Sequence, residues 1–171
     1  MSRIYVGPTT LYDLGQVGEL DLLTALDGEL VIADPVAAEI TVEPAATALE
    51  RFRTEETVTT TLDEGEIDAA RRVLDAEQTT ASVAVVAGIL AHADADDPTG
   101  VGVVSEDRRL RSLAEGFGAS TTSSFGVVVR AALSDSSLKP GHVKRIVRRM
   151  DSYGLHMTGE MRERAVGEAG G

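Results

Sequence analysis

The chain has 171 residues, of which 43% are hydrophobic, and this is enough for one domain with a buried core. Cysteine is absent, which excludes disulfide frameworks, thiolate zinc sites and cysteine nucleophiles. No apolar run approaches the roughly 18 residues of a membrane-spanning helix, and the first residues lack a secretory signal, so we expect a cytoplasmic protein without a membrane partner.

The charge balance is strongly acidic, with a formal net charge of −12, and only Lys139 and Lys144 are lysines. Together with the scarcity of aromatic residues, this composition is typical of halophilic proteins, in which net charge maintains solubility. An ordinary acidic protein is the alternative interpretation. In molar salt the Debye length is about 3 Å, so the acidity does not exclude a nucleic-acid partner.

Three short apolar runs predict buried strands at residues 4–6, 30–32 and 101–104. Each run is followed by a segment with helical periodicity. Alternation of strands and helices predicts a three-layer α/β/α fold with a mainly parallel central sheet. A further short strand is expected at residues 119–121, whereas residues 57–61 fit an edge strand and an extended connection equally well.

Several helices are predicted between these strands from the spacing of apolar residues. Asp34-Pro35 resembles a cap and a first-turn proline for a helix through Ile40, and Glu43-Pro44 breaks or restarts it. Helices are also expected at 11–17, 63–74, 79–92, 110–117 and 125–133, with Val73 and Phe117 on inner faces.

The last predicted helix has two chemically different sides. One side carries the apolar residues Val143, Ile146, Val147 and Met150, and the other carries Lys144, Arg145, Arg148 and Arg149. We therefore divide the chain into an α/β domain at 1–133 and a helical extension at 134–171 that packs on it. The basic side is a candidate surface for phosphate contacts, although solvated basic faces are also common.

Several segments, in this order, resemble a branch of the PIN-like family whose members are mostly uncharacterised proteins of archaea and bacteria. They are LYDLGQVGELDLL at 11–23, ADPVAAEI at 33–40, DEGE at 63–66, VSEDRRLR at 104–111, AEGFG at 114–118 and FGVV at 125–128. The resemblance implies a three-layer fold around a parallel sheet. It also implies cleavage of single-stranded RNA or DNA with Mg²⁺ or Mn²⁺, held by carboxylates at the carboxyl ends of the strands.

The acids that this resemblance implies are incompletely present. Gly7 occupies the position of the family's first aspartate, Glu39 matches the second acid, and Asp107 matches the last. The third acid is either Glu66 or, under a competing alignment, is replaced by Val83. The resemblance thus implies catalytic and metal-binding roles for Glu39, Asp107 and Glu66, with a weak Mg²⁺ or Mn²⁺ site. Glu66 and Asp107 also stand where acids cap helices, which needs no catalysis.

Two functional hypotheses follow. The first is a nucleic-acid-binding PIN-like protein that is a weak or inactive metal-dependent ribonuclease. Single-stranded RNA would be its partner, and Arg108, Arg109, Lys144, Arg145, Arg148 and Arg149 would contact phosphates. The second is a catalytically inactive protein-interaction module of toxin-antitoxin or regulatory type, with an antitoxin-like protein or a second copy as partner. The missing acid at Gly7 favours binding over cleavage.

Overall fold

The computed structural model describes residues 2–56, 62–93, 100–135 and 138–152. Its strands are β1 (Arg3–Val6), β2 (Glu29–Val31), β3 (Val101–Val104) and β4 (Ser120–Thr122). They form a four-stranded sheet in the order β2-β1-β3-β4, and every neighbouring pair is parallel. The predicted α/β fold with a central parallel sheet is confirmed. The segment 57–61 lies outside the described residues.

Helices connect the strands and cover both faces of the sheet. They are α1 (Pro8–Gln16), α2 (Asp34–Ala37), α3 (Ala45–Glu55), α4 (Glu64–Leu74), α5 (Ala81–Ala93), α6 (Arg108–Gly116), α7 (Ser124–Ser134) and α8 (Pro140–Ser152), and a 3-10 helix spans Leu20–Ala25. One layer is built around α5, which contacts β1, β3, α2, α4 and α6. The other layer holds α1, α3, α7, α8 and the 3-10 helix.

Two close approaches show that α5 and α7 lie on opposite faces. Gly88 of α5 packs so tightly on the ring of Tyr5 that an added Cβ would overlap it, and Gly126 of α7 packs equally tightly on Thr122. Val6, Val104 and Thr122 are in register across β1, β3 and β4. Because side chains alternate along a strand, Tyr5 points to the face opposite Val6 and Thr122.

Three local predictions were wrong. The helix at Asp34-Pro35 ends after one turn at Ala37, and its N-cap is Ala33 rather than Asp34, whose carboxylate instead accepts a 2.6 Å hydrogen bond from Arg53. Val73 is 48% exposed, and Phe117 follows the end of α6 and is 40% exposed. For Val73 and Phe117, helical periodicity predicted the face of the helix but not which residues of that face a neighbouring element covers.

The prediction for the last helix is confirmed. Its apolar side is buried, and all four basic residues named above are exposed. Helix α8 contacts α1 and α7, and His142 Nε2 lies 3.6 Å from Glu19 Oε1, beyond the end of α1. The division of the chain near residue 134 stays a prediction. Within the described ranges, no helix is both long and apolar enough to cross a membrane.

Candidate functional site

The carboxyl ends of all four strands lie along one edge of the sheet, because the strands are parallel. In open parallel sheets this edge is the usual position of ligand sites. Three connections leave it close together: Gly7 after β1, the loop 105–107 after β3, and Ser123 after β4. The side chains of these connections and of the first turns of α1 and α7 form the candidate site.

At the centre of this edge, Gly7 and Ser105 are neighbours. The Gly7 amide donates a 2.8 Å hydrogen bond to the carbonyl oxygen of Val104. A Cβ added at Gly7 would lie 3.4 Å from Ser105 Oγ. Ser105 is itself buried, and its hydroxyl accepts a 3.0 Å hydrogen bond from the Asp107 amide. The two central strands β1 and β3 are thus followed by a glycine and a serine, and neither residue supplies a carboxylate.

The carboxylate nearest the buried part of this edge belongs to Asp13, on the second turn of α1. Asp13 is 3% exposed. Its Oδ2 lies 3.2 Å from Ser124 Oγ, and Thr10 Oγ1 lies 3.2 Å from the same hydroxyl. Thr10 and Ser124 are both fully buried. We call Thr10, Asp13 and Ser124 the buried polar cluster, which joins the first two turns of α1 to the first turn of α7.

Glu106 approaches this cluster from the loop after β3. Its Oε1 accepts a 2.6 Å hydrogen bond from the backbone amide of Ser124, at the start of α7. Burial raises the pKa of Asp13 to about 7, the Ser124 hydroxyl opposes this rise, and the negative charge of Glu106 adds to it. A proton on Asp13 must be released before this carboxyl group can bind a cation.

Asp107 has a well-defined structural role. It is the N-cap of α6, and its Oδ1 accepts hydrogen bonds from the amides of Arg109 at 2.9 Å and Leu110 at 3.1 Å. The side chain is exposed, and its other oxygen is available at the carboxyl edge. The capping interpretation of Asp107 is thus confirmed, whereas its role as a metal ligand stays a prediction.

The other two predicted ligands lie in different settings. Glu39 is exposed in the turn after α2, where it borders a shallow cleft with Thr9 and Tyr12 of α1. Glu66 is in the first turn of α4, and its amide donates to the capping carboxylate of Asp63. Val83, the competing position for the third acid, is fully buried in α5. No hydrogen bond among the described residues connects Glu39, Glu66 or Asp107 to one another.

The described residues do not fit a multi-carboxylate metal centre. In the parts of the chain that the structure describes, no group of three or more His, Cys, Asp or Glu side chains could hold a metal ion. The buried oxygen atoms at this edge belong to the hydroxyls of Thr10 and Ser124 and to the Asp13 carboxyl group, whose pKa burial raises, whereas Mg²⁺ prefers ionised carboxylates and water.

The predicted phosphate-binding residues form two separate groups. Arg108 and Arg109 are exposed in the first turn of α6, at the carboxyl edge. The second group, which we call the α8 basic face, consists of Lys144, Arg145, Arg148 and Arg149. Helix α6 packs in the layer of α5, and α8 packs on α1 and α7. The two groups thus belong to opposite layers of the molecule.

Sequence reasoning did not single out Asp13 and Ser124. A signal for them was present, because Thr10 and Asp13 are three residues apart and share one helix face with buried Leu14 and Val17. A carboxylate on the inner face of the first helix after β1 requires a partner. The partner lies 111 positions away, and no local pattern connects the two.

A protein-family model described as DUF3368, PIN domain, matches residues 6–171. The match extends from the end of β1 across the remainder of the chain. Neither a curated protein nor a solved structure gives a significant match. The all-parallel sheet flanked by helices is consistent with the PIN fold.

Proposed function

The chain belongs to the DUF3368 family of PIN domains, and on that premise we propose that it binds single-stranded RNA and cleaves it weakly or not at all. The observation that carries the proposal is the α8 basic face. It concentrates four cationic side chains on one exposed helix surface of a protein whose net charge is −12. Such a local basic patch is typical of protein surfaces that bind the phosphate backbone of a nucleic acid.

The packing of α8 on the domain leaves these cationic side chains exposed to solvent. Val143, Ile146, Val147 and Met150 are at most 1% exposed and anchor the helix on the domain. The basic residues lie between them in sequence and face outward, and none has an ion pair with another described residue. Arginine side chains can donate paired hydrogen bonds to phosphate oxygens. Such short-range contacts can persist in high salt, where long-range electrostatic attraction is screened.

The carboxyl edge supports binding better than cleavage. Metal-dependent phosphodiester hydrolysis needs carboxylates that hold the ions and orient water. Here Gly7 and Ser105 follow the two central strands, and Asp13 is buried and hydrogen-bonded to Ser124. Arg108 and Arg109 are exposed at the same edge, and we infer that they contact a phosphate.

Fluorescence anisotropy with a labelled single-stranded RNA of about 20 nucleotides tests the proposal. The titration is run in KCl from about 0.1 to 2 M, because phosphate contacts weaken as salt rises. The test variant carries Lys144→Glu with Arg148→Glu, and the matched control carries Arg51→Glu with Arg72→Glu. All four positions are exposed, and both variants change the net charge equally.

We expect the α8 variant to bind RNA at least about tenfold more weakly than the wild type at low salt, and the control to change much less. Equal losses in both variants would mean that overall charge governs binding rather than the α8 basic face. Incubation with Mn²⁺ followed by gel analysis should show at most slow cleavage. Rapid metal-dependent cleavage by the wild type would contradict the weak-cleavage part of the proposal.

A second candidate function, a protein-interaction module, is favoured by a different observation. An open cleft of about 370 Å³ lies between the turn after α2 and helix α3. Its floor includes Ala37, Ile40 and Leu49, and Glu50 and Arg53 border it. An apolar floor with a charged rim fits side chains of a partner helix or of a second copy.

Light scattering at two protein concentrations tests the second-copy form of this alternative. Ala46 is half-buried at the cleft, so Ala46→Arg should fill it with little cost to the fold. A dimer that dissociates in this variant but persists in Glu64→Arg, on a different helix, would support the cleft as an interface. A wild-type protein that is monomeric throughout would rule out this form.

A further inference from the structure

Asp13 differs from the other described acidic residues because its whole side chain is inside the protein. It is the acidic residue among the buried polar side chains of the described part of the chain, and it is 3% exposed. Burying an ionised carboxylate is costly, whereas a protonated carboxyl group can be buried with one or two hydrogen bonds. Among the residues that the structure describes, the hydrogen-bond partner of this carboxyl group is Ser124 Oγ, at 3.2 Å.

Ser124 links two carboxyl groups that belong to different parts of the fold. Its side chain contacts Asp13 of α1, and its backbone amide donates to Glu106 of the loop after β3. Both contacts fix the position of the first turn of α7 relative to α1 and to the loop after β3. If Asp13 and Glu106 were ionised together, two negative charges would flank one buried serine, where charge repulsion is poorly screened.

We propose that the proton on Asp13 is a pH-sensitive latch that holds α1, the loop 105–107 and the start of α7 together at the carboxyl edge. Protonated Asp13 allows α1 and α7 to pack around Ser124 beside Glu106. Loss of the proton weakens this junction and loosens the edge that carries Arg108 and Arg109. The latch concerns the stability of this edge and does not depend on RNA binding.

The surroundings of Asp13 leave Glu106 as the charged group that acts on it. Helix α3 packs on α1 through apolar residues that include Ala45 and Leu49, and α8 does so through its apolar side. The 3-10 helix contributes buried Leu20 and Leu23. Helix α7 contributes the uncharged hydroxyl of Ser124, and α1 contributes that of Thr10.

The direction of the effect follows from proton binding. The folded protein holds the Asp13 proton up to about pH 7, whereas the unfolded chain releases it near the ordinary aspartate pKa of 3.8. The unfolded state therefore binds fewer protons between these values, so the contribution of Asp13 to stability is full below about pH 4 and is lost as pH rises to about 7. The difference corresponds to up to about a thousandfold in the unfolding equilibrium constant.

Urea unfolding of wild type, Asp13→Asn and Asp21→Asn from pH 4.5 to 8 tests the latch. Asparagine keeps the shape of a protonated aspartate and has no proton to lose in this range. We expect the wild type to lose stability relative to Asp13→Asn as pH rises, with the change complete near pH 8. Asp21 is exposed, so Asp21→Asn should follow the wild type.

Carbon-13 NMR of the Asp13 carboxyl group gives a second measurement on the unmodified protein. A titration midpoint near 7 that falls in Glu106→Gln supports the latch, because the glutamine removes the charge but keeps an acceptor for the Ser124 amide. A midpoint near 4, or a constant stability difference between wild type and Asp13→Asn across the pH range, would overturn it. The NMR result decides the matter even if Asp13→Asn does not fold.

Discussion

Ser124 Oγ of α7 lies 3.2 Å from Asp13 Oδ2 of α1, although the two residues are 111 positions apart in the chain. Both side chains are buried, so the contact connects two helices of one layer through polar atoms rather than through apolar packing. Buried polar pairs of this kind are costly when one partner is removed. The contact therefore yields the first of four predictions.

Ser124→Ala should destabilise the protein by about 1–3 kcal/mol, because it leaves the buried Asp13 carboxyl group without its hydrogen-bond donor. The Ser124 hydroxyl lowers the pKa of Asp13, so its removal should raise that pKa above about 7. The stability contribution of the Asp13 proton should then be lost at a higher pH than in the wild type. Urea unfolding at several pH values measures both effects. Ser134→Ala, at an exposed serine, should change stability by less than about 0.5 kcal/mol.

Asp107→Ala should destabilise the protein by about 1 kcal/mol in metal-free buffer, because α6 loses its N-cap and two amides lose their acceptor. Asp107→Asn should retain most of the stability, since asparagine is an equally good cap. Thermal unfolding with and without Mn²⁺ measures this. If Mn²⁺ stabilises the wild type and has no effect on Asp107→Asn, Asp107 is a metal ligand as well as a cap.

Gly7→Asp should restore a carboxylate at the end of β1 and increase Mn²⁺ affinity at least about tenfold, equivalent to about 1.4 kcal/mol. The backbone at Gly7, with φ −81° and ψ 163°, is available to any residue. A new Cβ would be 3.3 Å from the Val104 carbonyl oxygen, so only a small local shift is needed. Isothermal titration of wild type, Gly7→Asp and the uncharged control Gly7→Asn checks the prediction. Equal affinities in all three would show that this edge cannot assemble a metal site.

Gly88→Ala should destabilise the protein by about 1–3 kcal/mol, because the added methyl group would overlap the buried ring of Tyr5. Gly116→Ala is the matched control near the end of α6, where a Cβ meets no atom within 4 Å. There the higher helix propensity of alanine should stabilise the protein by up to about 1 kcal/mol. Chemical denaturation compares the two, and a Gly88 variant as stable as the wild type would contradict the tight packing of α5 on β1.

Much of the fold was predictable from sequence because local patterns determine the elements. Apolar runs located β1, β2 and β3, and the two-sided pattern of α8 predicted which residues are buried. Errors occurred where burial depends on a neighbour, as at Val73 and Phe117. Periodicity defines a helix face, but which residues of that face are covered depends on the element packed against it.

The missing carboxylate at Gly7, the acidic composition and the cationic side of α8 could be read without a structure, because they depend only on residue identity and spacing. The tertiary structure decided which acid is buried. It placed Asp13 beside Ser124 and Glu106, and it used Asp107 to cap α6. The physical reason is that crossover connections bring distant strand ends to one edge of a parallel sheet. Burial and charge at that edge are therefore properties of contacts that no stretch of sequence contains.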